Sequence, residues 1–203
     1  MRHPRPAVTN TDDFIWRLVK GSIQLGLVPD INNAINMVPV DQVARITGVA
    51  GVSVPPTDAS PFGAMTVLHV TSRPRTRYND FLLPLGESYG YKVESTPYLE
   101  WRTRLEQHVL EVGDNALFPL LHFVLDDLPT STKSAELDDT NTRALLQATG
   151  ERDAMNVSED VLGRYLAWLV KAGFLDAPPA GGKKALPELK GAAVAMGRSS
   201  GAI

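Results

Sequence analysis

Asn10-Thr11-Asp12-Asp13-Phe14-Ile15-Trp16-Arg17-Leu18-Val19-Lys20-Gly21-Ser22-Ile23-Gln24-Leu25-Gly26-Leu27-Val28-Pro29 is the stretch on which the fold turns. Capping-type and acidic side chains precede Phe14, Leu18, Ser22 and Leu25, which recur at helical spacing, and acids in a first turn suit the helix dipole. The pattern predicts a helix over about 11–25, closed by Gly26 in the left-handed position and stopped by Pro29.

Outward from that helix, strand-like and helical segments alternate. Ile35 to Val40 reads as a short apolar strand, followed by a helix capped by Asp41 with Val43, Ala44, Thr47 and Ala50 on one face. Residues 51–63 carry three prolines and two glycines and read as a surface loop. Met65-Thr66-Val67-Leu68-His69-Val70 has the composition of a buried strand. A helix over about 79–88 is expected next, with Asn79 as its cap and Phe81, Leu82, Leu85 and Tyr89 facing inward. Tyr91 to Glu94 reads as a short strand, and Thr96-Pro97 opens a helix that buries Trp101, Leu105 and Val109. Ala116 to Leu128 is one apolar segment ended at Pro129, and 130–142 is a polar loop. Ser158 caps the clearest helix, in which Val161, Leu162, Tyr165, Leu166, Leu169 and Val170 repeat at three- and four-residue steps up to Gly173. Pro178-Pro179-Ala180-Gly181-Gly182 opens a tail expected to lack fixed structure.

Composition excludes several classes of function. The chain has 203 residues, 43% hydrophobic and 21% charged, enough for one globular domain. Its net charge of -3 argues against nucleic acid or an anionic membrane as main partner. The absence of cysteine excludes a disulfide scaffold, a thiolate nucleophile and cysteine-ligated zinc. Met1-Arg2-His3-Pro4-Arg5-Pro6 is followed by no apolar export segment, and the run from Ala116 to Leu125, interrupted by Pro119 and His122, falls far short of the roughly 20 residues that span a bilayer. The expected location is the cytoplasm.

Short motifs add little chemistry. Gly48-Val49-Ala50-Gly51 starts like a dinucleotide loop, but it ends a helix instead of joining a strand to one. Gly197-Arg198-Ser199-Ser200-Gly201 has the written form of a nucleophile elbow without room for the helix that should follow. His108 with Glu111, and His122 with Asp126, supply two ligands each where a metal needs more, so no metal is expected. Asn156-Val157-Ser158 is a glycosylation sequon by pattern only. Short-chain reductases pair a tyrosine with a lysine four residues on, so that both meet the carbonyl from one helix face. Here Tyr78, Tyr89, Tyr91, Tyr98 and Tyr165 are followed at that spacing by Leu82, Val93, Ser95, Arg102 and Leu169.

The segment Val8-Thr9-Asn10-Thr11-Asp12-Asp13-Phe14, continued by Arg17 through Asn33, resembles the thioester reductase domain of the fungal L-2-aminoadipate reductases. The likeness continues through Asn36-Met37-Val38-Pro39-Val40-Asp41, Leu68-His69-Val70-Thr71 with Arg73-Pro74-Arg75, Tyr98-Leu99-Glu100-Trp101, His122 to Pro129, and the last helix with Gly173-Phe174-Leu175. It implies an α/β, mostly helical fold: the substrate-side, C-terminal part of an extended short-chain dehydrogenase of Rossmann type, without its nucleotide-binding half. The implied divisions are a divergent N-terminus at 1–7, the reductase part at 8–176 and a tail at 177–203. The family's activity is NADPH-dependent release of a carrier-bound aminoadipyl thioester as the semialdehyde, a step of lysine biosynthesis. NADPH, a phosphopantetheinylated carrier domain and the missing Rossmann half are therefore the implied cofactor and partners. Gln42 and Ser72 stand where the family leads us to expect histidine and glycine.

With the glycine-rich loop and the tyrosine-lysine pair both absent, and with the likeness starting abruptly at Val8, the expectation is a fragment inactive alone. Other readings are a non-catalytic module that binds a carrier protein or other partner, and a chain that completes an active site in trans. Arg17, Lys20 and Gln24 lie near one helix stripe and are the candidate contacts to the acyl carboxylate or the pantetheine arm. Arg73, Arg75 and Arg77, just past a strand end, are further candidates for ligand binding.

Overall fold

The computed structural model describes residues 7–53, 66–133, 135–151, 155–179 and 182–191. They fall into two units. The first comprises residues 1–33, 77–133 and 158–203, the second residues 34–76 and 134–157.

In the first unit, α1 (Phe14–Leu25) ends as predicted on Gly26, whose φ is 76°. It leads into β1 (Leu27–Asp30), which pairs in parallel with β4 (Glu94–Pro97), Leu27 opposite Glu94 and Asp30 opposite Pro97. A parallel pair needs a long crossover, and 63 residues separate the two strands here. β4 lies three residues later than the strand expected at Tyr91. It runs directly into α5 (Tyr98–Val112), with Pro97 as N-cap and Trp101, Leu105 and Val109 buried. Trp101 is fully buried, and its indole N–H donates to the Leu27 carbonyl at 3.1 Å, tying α5 to β1. Trp16, Leu18, Phe81, Leu85, Leu117 and Leu166 add to this core, with Trp16 packed against Phe81 and Tyr165.

The helix expected at 79–88 is two short ones, α3 (Tyr78–Leu82) and α4 (Pro84–Glu87), because Pro84 is accommodated by starting a new helix. Their apolar face is as expected: Phe81, Leu82, Leu85 and Tyr89 are buried. Asn79 is not the cap. Asp80 accepts from the Arg77 N–H at 3.0 Å, while the Asn79 side chain donates to Asp30 at 2.6 Å and accepts from the Ile31 N–H at 2.9 Å.

α6 (Leu121–Ser131), entered through a 3-10 turn at Phe118–Leu120, continues past Pro129, where the sequence reading ended it. Proline removes a donor inside a helix, and several side chains bond the backbone groups around it. The Tyr98 hydroxyl donates to the Val124 carbonyl at 2.8 Å and accepts from the Leu128 N–H at 3.1 Å. Asn33 donates to the Pro129 carbonyl, and the Thr132 hydroxyl to that of Leu128. α8 (Glu159–Lys171) is capped by Ser158, which accepts from the Val161 N–H, and closes at Gly173 with φ 74°.

Within the tail, residues 182–191 are held: the Lys184 N–H donates to Ser88 at 2.8 Å, its ammonium pairs with Glu159 and Asp160, and Lys171 donates to the Leu189 carbonyl. Gly182 approaches so closely that a Cβ there would lie 2.6 Å from the Tyr89 backbone.

The second unit contains β2 (Ala34–Ile35), α2 (Val40–Ser53), α7 (Thr140–Ala148) and Thr76, the first residue of β3 (Thr76–Arg77), which pairs with β2. β2 is shorter than the strand expected at 35–40. α2 keeps residues 51–53 of the expected loop in the helix; residues 54–63 lie outside the described ones. Residues 66–70 are not a strand, and Met65 lies outside the described residues. Their carbonyls are taken by α7 side chains instead, Val67 by Asn141 at 3.1 Å and His69 by Thr142 at 2.8 Å. α7 itself occupies part of the polar stretch read as loop. The apolar core here is small: Ile46, Leu146 and Met155, with Val38 and Val70 against it.

Candidate functional site

In open parallel α/β sheets ligands collect beyond the carboxyl ends of the strands, which here means the loop after β1 and the start of α5. That loop, 30–33, is fixed by side chains. Asn79 holds Asp30 and the Ile31 N–H, and Arg77 donates to the Asn32 carbonyl at 2.8 Å. Asn33 accepts from the Tyr78 N–H at 3.0 Å through its carbonyl and donates through its amide to Thr132 at 3.1 Å. Burial pushes the Tyr78 phenol above its ordinary value, with the Thr132 hydroxyl opposing in part. Tyr78 is therefore neutral at physiological pH. Asn33 and Thr132 bear no motif that marks them in the sequence, and Asn79, expected as a helix cap, serves this loop instead.

A cavity of about 610 Å³ lies at the opposite, amino ends of the same strands, lined by Gly26, Gly86, Tyr91 and Lys92 among others. Burial first, and the Asp176 carboxylate second, push Tyr91 up to about 12, while its hydroxyl donates to the Asp176 carbonyl at 3.0 Å.

Arg17, Lys20 and Gln24 share a stripe of α1, as predicted, but their polar groups engage other parts of the first unit. Arg17 pairs with Asp12 at 2.6 Å and donates to the Ala116 carbonyl at 3.4 Å. Gln24 accepts from the Ala116 N–H at 2.8 Å and donates to the Asp114 carbonyl at 3.4 Å. Between them the buried Asn115 donates to the Gly21 carbonyl, and a Cβ on Gly21 would stand 2.6 Å from its Oδ1. Lys20 sits over the Phe174 ring, 4.8 Å from its centroid. Arg17 and Gln24 thus hold residues 113–117 onto α1, and Lys20 caps an aromatic face.

Neither Gly48 and Gly51 nor the start of α5 forms the glycine-rich strand-to-helix turn that cradles a dinucleotide's pyrophosphate. Gly48 and Gly51 lie inside α2, not at a strand-to-helix turn, with open space where a Cβ would go. The helix that follows β4 opens on Pro97-Tyr98-Leu99-Glu100, which offers a pyrophosphate a carboxylate in place of a glycine-rich turn. Gly197 to Gly201 lie outside the described residues. Among the described residues no group of three or more His, Asp or Glu side chains could hold a metal ion, and no helix is long and apolar enough to cross a membrane.

In the second unit, polar groups converge on Asp139, which is 7% exposed. Burial opposes its charge, but Arg73, Thr71 (2.9 Å) and Arg143 (3.2 Å) outweigh it and hold the carboxyl below its ordinary 3.8. Beside this network a cavity of about 320 Å³ is lined by Ile35, Asn36, Thr71, Ser72, Arg75 and Glu136 among others. Ser72, 4% exposed, donates its N–H to Asn36 at 2.8 Å and its hydroxyl to the Ile35 carbonyl at 3.1 Å. Of the three candidate arginines, Arg73 is paired with Asp139 and Arg77 is on the Asn32 carbonyl; Arg75 is at this cavity, donating to the Leu137 carbonyl at 3.2 Å.

The NAD-binding family described as Male sterility protein matches residues 1–47. The chain is 48% identical over 188 residues to the L-2-aminoadipate reductase of Schizosaccharomyces pombe, and 46% identical over 189 residues to the L-2-aminoadipate reductase large subunit of Candida glabrata. These alignments take in 89% and 90% of this chain but 13% of either relative, so it spans about an eighth of their length. Among solved structures, the terminal R domain from the myxalamid PKS-NRPS biosynthetic pathway matches 87% of this chain and 43% of its own, with a TM-score of 0.71 at 24% identity. The chain is thus homologous to a part of the L-2-aminoadipate reductases, and its fold is that of a terminal R domain.

Proposed function

We propose that the chain is the substrate-side part of an NADPH-dependent reductase that releases a carrier-bound aminoadipyl thioester as the semialdehyde, and that alone it reduces nothing. The carrying observation is close identity to L-2-aminoadipate reductases along nine-tenths of the chain, joined to a sequence without a strand-to-helix glycine-rich turn or a Tyr-x-x-x-Lys pair. Without that pair the tyrosine-lysine proton delivery of short-chain reductases is not available from this sequence. The nicotinamide would be held by residues of another polypeptide segment. In this reading the loop after β1, pinned by Asn79, Asn33 and Arg77, supplies a rigid wall beside the acyl group, consistent with its place at a strand's carboxyl end.

The test supplies NADPH and a carrier-bound aminoadipyl thioester to the chain alone, to a separately produced nucleotide-binding half, and to both mixed. Aldehyde is expected from the mixture only. Aldehyde from the chain alone overturns the reading, and a mixture that stays silent while the carrier domain is still captured favours a non-catalytic binding module.

A further inference from the structure

We propose that the 320 Å³ cavity of the second unit binds the zwitterionic end of the acyl group, Arg75 taking the α-carboxylate and Glu136 the α-ammonium, an inference resting on the aminoadipyl reading above. The volume is at the lower end of the roughly 300–1,000 Å³ of small-molecule sites, suited to an amino-acid end and too small for a dinucleotide. Its floor is neutral and committed: Thr71 donates to Asp139, and Ser72 bonds Asn36 and Ile35. The two buried hydroxyls and the Asn36 amide are pinned in place, which gives the floor shape from neutral side chains.

The charge comes from the two side chains of opposite sign that also line it. Arg75 donates to the carbonyl of Leu137, the residue directly after Glu136, so one backbone bond couples the positions of both. A guanidinium has five N–H donors in a planar fork, and a carboxylate is its natural bidentate partner. Arg73 and Arg77 do not offer this, since Arg73 serves Asp139 and Arg77 the loop after β1. A site with one cation and one anion over a neutral floor selects a ligand with the reverse pair, and an α-amino acid end carries it.

Calorimetric titration of the full chain with L-2-aminoadipate, and with adipate, which lacks the ammonium, tests this. Saturable binding is expected for L-2-aminoadipate and weaker binding for adipate. Arg75→Ala should weaken both by about tenfold or more, as for loss of a charge-assisted pair, and Glu136→Gln should weaken L-2-aminoadipate alone. No saturable binding, equal affinity for the two ligands, or variants that bind as the parent does would each overturn the assignment. A second measurement does not depend on the free chain: in the reductase assembled with its nucleotide-binding half, both variants should raise KM for the thioester more than they lower kcat. Unchanged KM there overturns the cavity assignment while leaving the reductase reading intact; a parent assembly that makes no aldehyde defeats that reading instead.

Discussion

The two units are built on different principles. The first is organised around large buried side chains, with Trp101, Phe81, Leu105 and Leu117 at 2% exposure or less and an indole bonded directly to a strand. The second has a small apolar cluster, Ile46, Leu146 and Met155, and adds side chains that reach backbone carbonyls and ion pairs that meet at Asp139. Apolar burial is indifferent to pH, whereas a buried carboxylate is not. The difference therefore assigns the units different vulnerabilities, and it puts the proposed ligand cavity in the one whose integrity is electrostatic.

The largest break in this contrast is expected from Trp101→Ala. Loss of a fully buried indole should cost about 3–5 kcal/mol in denaturant unfolding and speed hydrogen exchange in the first unit. A loss under about 1 kcal/mol would show that the indole is not the keystone of that core.

Asp139→Ala comes next, at roughly 1–3 kcal/mol, because it takes the charged acceptor from the buried Thr71 hydroxyl and the half-buried Arg73. Amides of 34–76 and 134–157 should exchange faster while those around Trp101 hold. The pH dependence has a definite sign. A carboxyl whose folded pKa lies below 3.8 contributes stability that is fully present above about pH 4 and is lost as pH falls through the folded value. Exchange in the second unit should accelerate below that point, and Asp139→Asn should flatten the acid limb.

Tyr98→Phe removes the hydroxyl that serves both Val124 and Leu128, and about 1 kcal/mol is expected, read as a lower melting midpoint and faster exchange in α6. Smallest is Lys184→Ala. Its ion pairs with Glu159 and Asp160 are exposed, and the melting midpoint should stay within error of the parent. A clear drop would make residues 182–191 part of the first unit's stability.

Local signals were legible wherever their partners were local. Gly26, Gly173, Ser158 and the 101, 105, 109 stripe each depend on a few neighbouring residues, and each was read correctly. Errors came where the deciding partner is far along the chain. Residues 66–70 have strand composition, but Asn141 and Thr142, more than 70 residues on, take the carbonyls a strand partner would need. Pro129 is a local stop signal, whereas Tyr98 and Asn33, which bond the backbone on either side of it, lie far away in sequence. Arg17, Lys20 and Gln24 share one face of α1, as their spacing gives, and the Asp114 and Ala116 backbone that Arg17 and Gln24 bond lies 90 to 99 residues away, where no local pattern shows it. Asp139 and Glu136 went unnoticed inside a polar stretch with no motif to single them out.

The proposed function gives this chain the substrate side of a reductase and leaves the nicotinamide to another segment. It is tested most directly by titrating NADPH onto the chain alone and following nicotinamide fluorescence. No saturable change is expected. Stoichiometric binding with an enhanced, blue-shifted emission would contradict it.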